Sequence, residues 1–404
     1  QLPRTMLMKY ARRADRATRR ECYEVLGTTL AAHSEPLDGI FDRLVHVRNR
    51  MARKMGYENF IELGYCRMER MCYDVQAVQT FRENIVRDIV PVVSRLRLEN
   101  AKRLGIETFH LYDNEFFTPG GDPTPCGKEA LFAAAQKMYD TMGAFFRMMC
   151  ENEAFDVESR PNKWGGGYCT EFVKYHQPFI LANFNGTSGD VDVVTHEAGH
   201  ALNAYLIADN RFALELGCGG METAETHSMS MEFFAWPYLD AFFPQAGDAQ
   251  RYRFQHALDA LSFLPYGTMV DEFQHRVYAE PDLTPAGRNA VWLELEAKYR
   301  PHIDQRGIPY LERGTRWQYQ MHIYETPFYY IDYCLAQTAA FQFLLASQDD
   351  YDGAFARYLH LSEQGGEKLW TELLTEAGFR SPFAPDALAQ LAAQVEPLIR
   401  RQNI

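Results

Sequence analysis

The sequence predicts a mainly α-helical chain, two helical lobes around one small β-sheet, and three observations carry that prediction. Apolar residues recur at a 3.6-residue period through most of residues 1–154 and again from residue 241 to the end. Between about Phe155 and Gly189, clustered Gly, Asn and Pro surround a single apolar run of strand length, Phe179 to Phe184. No internal repeat, low-complexity tract or flexible linker breaks the 404 residues. One catalytic unit (segments 1–154, 155–240 and 241–404) is therefore more economical than independent domains.

Taken in order, "DGIFDRLVHVRNRMARKMG" sets Ile40, Leu44, Val47 and Met51 on one apolar stripe, with Gly56 placed to end the helix. "GYENFIELGYCRMER" and "VQTFRENIVRDIVPVVSRLRLENAKRLG" continue the helical pattern, and their arginines read as solvated faces balanced by Glu and Asp. In "RPNKWGGGYCTEFVKYHQPFILANFNGTSGD" the glycines 165–167 lack the Gly-Lys-Ser/Thr of a phosphate loop and read as a tight bend. A loop, "ELGCGG", and then helical sequence follow, including "AGRNAVWLELEAKYR" and "PDALAQLAAQVEPLIRRQ".

Composition narrows the function classes. A formal net charge of −13 and a pI near 5.4 argue against a sequence-independent hold on nucleic acid, which needs clustered Lys and Arg. The eight cysteines form no C-x-x-C pair and no dense framework, as expected for reduced thiols in a cytoplasmic protein. No apolar run is long enough to span a bilayer, and the start "QLPRTMLMKYARRADRATRR" has no signal-peptide core. The chain begins at Gln1, so a fragment or a processed product is expected.

The chemistry concentrates in "DVVTHEAGHALNAYL". Thr187 or Ser188 is placed to cap a helix, Asp190 and Asp192 fall in its first turn, and Val191, Val194, Ala198, Ala201, Leu202 and Tyr205 supply the apolar side. His196 and His200 lie one turn apart on one face, within reach of a common ion. Glu197 stands beside them, where a general base can touch the reacting water without occupying the metal. H-E-x-x-H alone is only suggestive. Downstream, "GGMETAETHSMSMEFFAW" offers Glu222, Glu225 and Glu232 as a third ligand, and spacing does not choose among them. His227, two positions from Glu225, points elsewhere on that helix and reads as a packing or outer residue. Read without a metal, the same stretch is an acid-bearing, partly solvated helix.

"HEAGH" followed by "ETHSMSMEF" resembles the thimet oligopeptidase and oligoendopeptidase F family of zinc oligopeptidases, most closely its bacterial Pz-peptidase-like branch. "PFILANFNGTSGDVDVVTHE" is similar to the family's edge strand and zinc helix, and "WQYQMHIYETPFYYIDYCLAQTAAFQF" to its His/Tyr segment. The resemblance implies a two-lobed helical fold with one Zn²⁺ in a deep channel that admits short peptides. It implies Glu225, opening E-x-x-S with Ser228, as the third ligand beside His196 and His200, with Glu232 seven residues on. It also implies that His322 and Tyr329 or Tyr333 stabilise the oxyanion, with Tyr324 and Tyr330 as further candidates to meet substrate. Thr326 and Pro327 are placed to start the helix that carries the tyrosines. Without the resemblance this aromatic cluster reads as core.

The expected activity is zinc-dependent hydrolysis of internal bonds in short peptides, with Glu197 moving the proton. The strand Phe179–Phe184, with Ala182 and Asn183, is expected to hold the substrate backbone at a sheet edge, and Glu222 or Asp190 to orient a ligand histidine. Full-length relatives carry a further N-terminal helical segment, so part of the channel wall is expected to be absent or supplied by a second polypeptide, with the zinc site complete. Two alternatives stand beside this reading: an H-E-x-x-H metallocarboxypeptidase-like exopeptidase, and a non-catalytic peptide-binding helical protein.

Overall fold

Three of the N-terminal helices begin where the sequence supplies a side chain to cap them. Asp15, Asn59 and Asp74 each accept a backbone N–H from the first turn of the helix that follows, and Thr284 and Asp350 do the same in the C-terminal half. The computed structural model describes residues 3–208, 217 and 219–402. Its first part holds α1 (Arg4–Ala11), α2 (Arg16–Ala32), α3 (Ser34–Lys54), α4 (Phe60–Arg67), α5 (Val75–Asn84), α6 (Val90–Arg103), α7 (Lys128–Tyr139) and α8 (Phe145–Glu151). A π-helical stretch, Ile85–Ile89, joins α5 to α6.

Three strands follow: β1 (Phe155–Glu158), β2 (Tyr168–Phe172) and β3 (Gln177–Phe184). Then come α9 (Gly189–Ile207), α10 (Met221–Phe234), α11 (Leu239–Phe242), α12 (Asp248–Ala279) and α13 (Pro285–Tyr299). The chain closes with α14 (Met321–Glu325), α15 (Tyr330–Asp349), α16 (Tyr351–Glu363), α17 (Trp370–Glu376) and α18 (Ala387–Gln402). The fold is thus mainly α with one small sheet, as the periodicity predicts. Of the expected loop 215–220, residues 215, 216 and 218 lie outside the described residues.

One hydrophobic core runs from Phe41 in α3 to Ile399 in α18 and crosses the boundaries at 154/155 and 240/241. A second cluster gathers α1, α2 and the segments around Phe109 and Ile308. The central elements α9, α10, α12 and α15 pack on one another, and α10 is buried nearly all round rather than partly solvated. No helix among the described residues is long and apolar enough to cross a membrane.

Four local expectations are corrected. On α3 the stripe Ile40, Leu44, Val47, Met51 faces outward, with Ile40 42% and Met51 41% exposed, while Phe41, Val45 and Ala52 enter the core. The helix carries two adjacent apolar stripes, and its neighbours choose the one that turns inward. Arginines of this lobe are not all solvated: Arg70, Arg82 and Arg97 are buried, Arg70 and Arg82 on aspartates and Arg97 over the rings of Phe109 and Phe117. Strand β3 is central, in the order β1-β3-β2, parallel to β1 and antiparallel to β2, so it offers no free edge. The edge strand beside α9 is β2. Finally, neither Thr187 nor Ser188 caps α9 with its hydroxyl. The Ser188 backbone N–H and hydroxyl both donate to Asp122, and Thr187 donates to Asn185.

Candidate metal and catalytic site

The helical spacing of α9 brings His196 and His200 to one face, and α10 crosses close enough to present Glu225 to both. That approach depends on Gly199: a Cβ there would lie 2.7 Å from the His227 carbonyl oxygen and from Ser228 Cα. Glu225 Oε2 stands 3.2 Å from His196 Nε2 and 3.6 Å from His200 Nε2. Ligand atoms about 2.0–2.1 Å from a tetrahedral ion are separated by about 3.3 Å, so these three atoms fit one divalent cation. Among the described residues this trio is the one group of His, Cys, Asp or Glu close enough to hold a metal.

The surroundings support the ligands. Ser228 Oγ donates to Glu225 Oε2 at 2.9 Å, and the Tyr329 hydroxyl donates to Glu225 Oε1. Glu232 Oε1 lies 2.7 Å from His196 Nδ1 and leaves Nε2 for the ion. Behind Glu232, Trp236 Nε1 donates to His256 Nδ1 at 3.0 Å, which leaves His256 Nε2–H to donate to Glu232 Oε2 at 2.8 Å. His256 and Trp236 escaped the sequence reading, because no spacing rule links α12 to a ligand on α9.

The electrostatics suit a bound cation. Burial opposes charge on His196, yet hydrogen bonds to Glu225 and Glu232 hold its pKa well above the ordinary imidazole range. Burial pushes His200 down to about 4. Burial would raise Glu225 too, but His196 and His200 hold it down at about 2. Glu197, Glu225 and Glu232 are all enclosed, and no Lys or Arg among the described residues pairs with them. Buried carboxylates without a fixed counter-charge favour a metal ion.

Glu197 points beside the trio. Its Oε2 has no hydrogen-bond partner, and burial pushes its carboxyl up to about 7. The glycines 165–167 show no left-handed φ; instead a Cβ on Gly167 would lie 3.4 Å from Glu197 Oε1, and one on Gly166 would strike the Trp164 ring. The backbone bends at Gly165, as expected, and Gly166 and Gly167 make room for their neighbours.

A cleft of about 900 Å³ opens here, lined by residues of α1, the 159–168 segment, Asn183, Val193, His322, Tyr329 and Tyr333. Gln320 Nε2 donates to His322 Nδ1 at 3.0 Å and is itself held by the Tyr266 hydroxyl, so His322 keeps its proton on Nε2. Burial lowers the His322 pKa, which keeps the ring neutral. Burial, then the charge of Glu225, raises both tyrosine pKa values, so the two phenols remain donors. Gln320 and Tyr266 also went unread in the sequence, since an uncharged Gln beside a His has no distinctive signature.

Of the remaining candidates Asn183 lines the cleft, its amide donating to the Trp164 and Gly166 carbonyls, while Ala182 is fully buried. Tyr324 packs against Phe41 and Trp317, and Tyr330 against Phe263 and Tyr266. Asp190 accepts the N–H groups of Asn185 and Gly186, and Glu222 lies with Tyr73, Arg70 and Asp332. Neither carboxylate orients a ligand histidine; Glu232 does so for His196. His227 is buried with both ring nitrogens unpartnered, while His176 and His302 lie off the cleft.

Against known proteins, the model of peptidase family M3 matches residues 8–121 and 129–393. Pz peptidase A, solved with an inhibitor, is 43% identical and superposes with a TM-score of 0.96, covering 99% of this chain and 72% of that one. A structure titled as an oligoendopeptidase F of Bacillus anthracis str. Ames is 39% identical with a TM-score of 0.89, over 98% of this chain and 69% of that one. Oligopeptidase PepF of Bacillus subtilis (strain 168) is 23% identical over 314 residues, 73% of this chain and 45% of its own length. The chain therefore spans about half the length of that curated relative.

Proposed function

Because the chain belongs to peptidase family M3, we propose that it is a zinc-dependent endopeptidase that hydrolyses internal bonds of short peptides. The observation that carries the proposal is the convergence of His196 Nε2, His200 Nε2 and Glu225 Oε2, with Glu197 nearby, next to a cleft whose lining residues Gly167 and Tyr329 adjoin Glu197 and Glu225. Zn²⁺ held by these three residues would polarise the scissile carbonyl and lower the pKa of the attacking water.

The chain's own residues do the rest. Glu197, with a carboxyl near neutrality, takes the proton from the attacking water and delivers it to the departing amine. Glu232 and Ser228 keep His196 and Glu225 in ligating orientation. His322 Nε2–H and the Tyr333 hydroxyl line the cleft as neutral donors for the developing oxyanion. Tyr329 lines the same cleft and reaches Glu225. The free edge of β2, not β3, is the side along which an extended peptide can lie. Seven unpaired cysteines among the described residues fit a reducing compartment, and the cytoplasm is our reading.

The test is metal content together with cleavage of an end-blocked, internally quenched peptide, wild type beside Glu197→Gln. The expected result is stoichiometric metal in both and a loss of about 10²–10⁴-fold in kcat in the variant. Full activity in the variant, or cleavage only of peptides with a free end, would overturn the reading.

A further inference from the structure

The turn that delivers the tyrosines is held from the other half of the chain. Thr326 and Pro327 are placed to start a helix, yet α15 begins only at Tyr330, because Phe328 takes φ +70°. A non-glycine residue keeps that left-handed conformation only where its surroundings over-determine it. Here they do. The Phe328 N–H donates to Gln274 Oε1 at 2.7 Å, and its carbonyl accepts from Arg70. Its ring is fully buried among Phe60, Tyr65, His275 and Tyr278. The seat exists only because residue 64 is glycine: a Cβ there would stand 2.5 Å from the Phe328 ring.

Arg70 binds both ends of the turn. The same Nη2 that holds the Phe328 carbonyl donates to Asp332 Oδ1 at 2.8 Å, inside the first turn of α15. Its Nε donates to the Tyr73 hydroxyl at 3.1 Å, which donates to the same Asp332 oxygen at 2.9 Å. The guanidinium lies flat on the Tyr65 ring, 4.4 Å from its centre, and its side chain is wholly enclosed. Tyr329 lies between the two points that Arg70 grips and already has helical backbone (φ −65°, ψ −34°), and Tyr333 directly follows Asp332, so the grip fixes where the first turn of α15 sits and how it is rotated toward Glu225 and the cleft.

We propose that Arg70 is a positioning residue for the tyrosine pair: with Phe328 seated on Gly64, it anchors the first turn of α15 so that Tyr329 reaches Glu225 and Tyr333 faces the cleft. This rests on the catalytic reading given above. Arg70 lies 259 residues before Tyr329 in sequence (329 minus 70) and touches neither substrate nor metal ligand.

The experiment compares Arg70→Lys and Gly64→Ala in the wild-type background and in a Tyr329→Phe, Tyr333→Phe background, on the internally quenched peptide. Gly64→Ala pushes Phe328 from the opposite side without altering charge, so it decides the matter if Arg70→Lys fails to fold. Expected in the wild-type background is a loss of about tenfold to a hundredfold in kcat, with KM little changed and metal retained. In the double-phenylalanine background the further loss should be under about twofold. Equal losses in both backgrounds, a loss carried by KM, or no loss would each overturn the proposal. Amide hydrogen exchange of residues 328–333 in the metal-free protein should quicken in both variants, and unchanged exchange would overturn it as well. If the wild type shows no metal-dependent cleavage, the catalytic reading fails, and the exchange measurement still decides whether Arg70 holds the turn.

Discussion

Two of the buried polar clusters among the described residues neutralise their charge in opposite ways. Around Asp332 and Asp271 the counter-charges are built in: Arg70 and Arg82 donate to those carboxylates at 2.8 Å each. Around His196, three glutamates converge with histidines and no fixed cation among the described residues. The first cluster is complete as a structural device. The second has the donor set for an ion, and on the function proposed above an ion supplies its counter-charge, which separates a site from a strut of similar residue types.

Removing Glu225 should break the contrast most sharply. Glu225→Ala should lose the metal and reduce peptide hydrolysis to background, beyond the ~10- to 100-fold that loss of an outer partner costs. Its thermal unfolding should stay cooperative, checked by calorimetry beside metal analysis. Asp271→Ala attacks the other cluster and should do the reverse. It leaves Arg82 buried without its carboxylate, so urea unfolding should show a loss of about 3–5 kcal/mol while zinc affinity holds.

A smaller effect sharpens the comparison from within the site. Glu232→Ala removes the carboxylate on His196 Nδ1, and zinc affinity measured by chelator competition should fall about 10- to 100-fold. The smallest effect is in pH. Burial works against the charged form of Asp271, but His275 and Arg82 hold its folded carboxyl at about 2, against 3.8 unperturbed. A folded pKa below the unfolded one means that the stabilisation is complete above the unfolded value. It is lost as pH falls through about 4 toward 2, at no more than ~1.4 kcal/mol per pH unit. Urea midpoints between about pH 5 and pH 2.5 should therefore fall less steeply in Asp271→Asn than in wild type.

Legibility in the sequence follows how local each feature is. The face of α9 is local: the spacing of His196, Glu197 and His200 places them together on a single helix, and the structure has them so. Glu225 was not separable from Glu222 and Glu232 by spacing, because the choice depends on how α10 lies across α9. Gly199, inside the H-E-x-x-H stretch, governs that crossing. The small sheet was visible only as β3, since β1 and β2 are short and β2 has no buried residue, and that hid the true edge strand. The α3 stripe misled because two adjacent apolar stripes give the same periodicity, and only the partners select one.

By itself the sequence determined the helical class, the placing of His196 and His200 on one helix face with Glu197 beside them, and the helices that begin on their own caps, because each depends on residues within a few turns of one another. Tertiary structure alone decided which glutamate completes the trio, that His256 and Trp236 stand behind Glu232, that Gln320 sets the His322 proton, and that α15 waits until Tyr330. Each of those rests on a contact between groups far apart in the chain, and no periodicity records what a side chain meets when a distant segment packs against it.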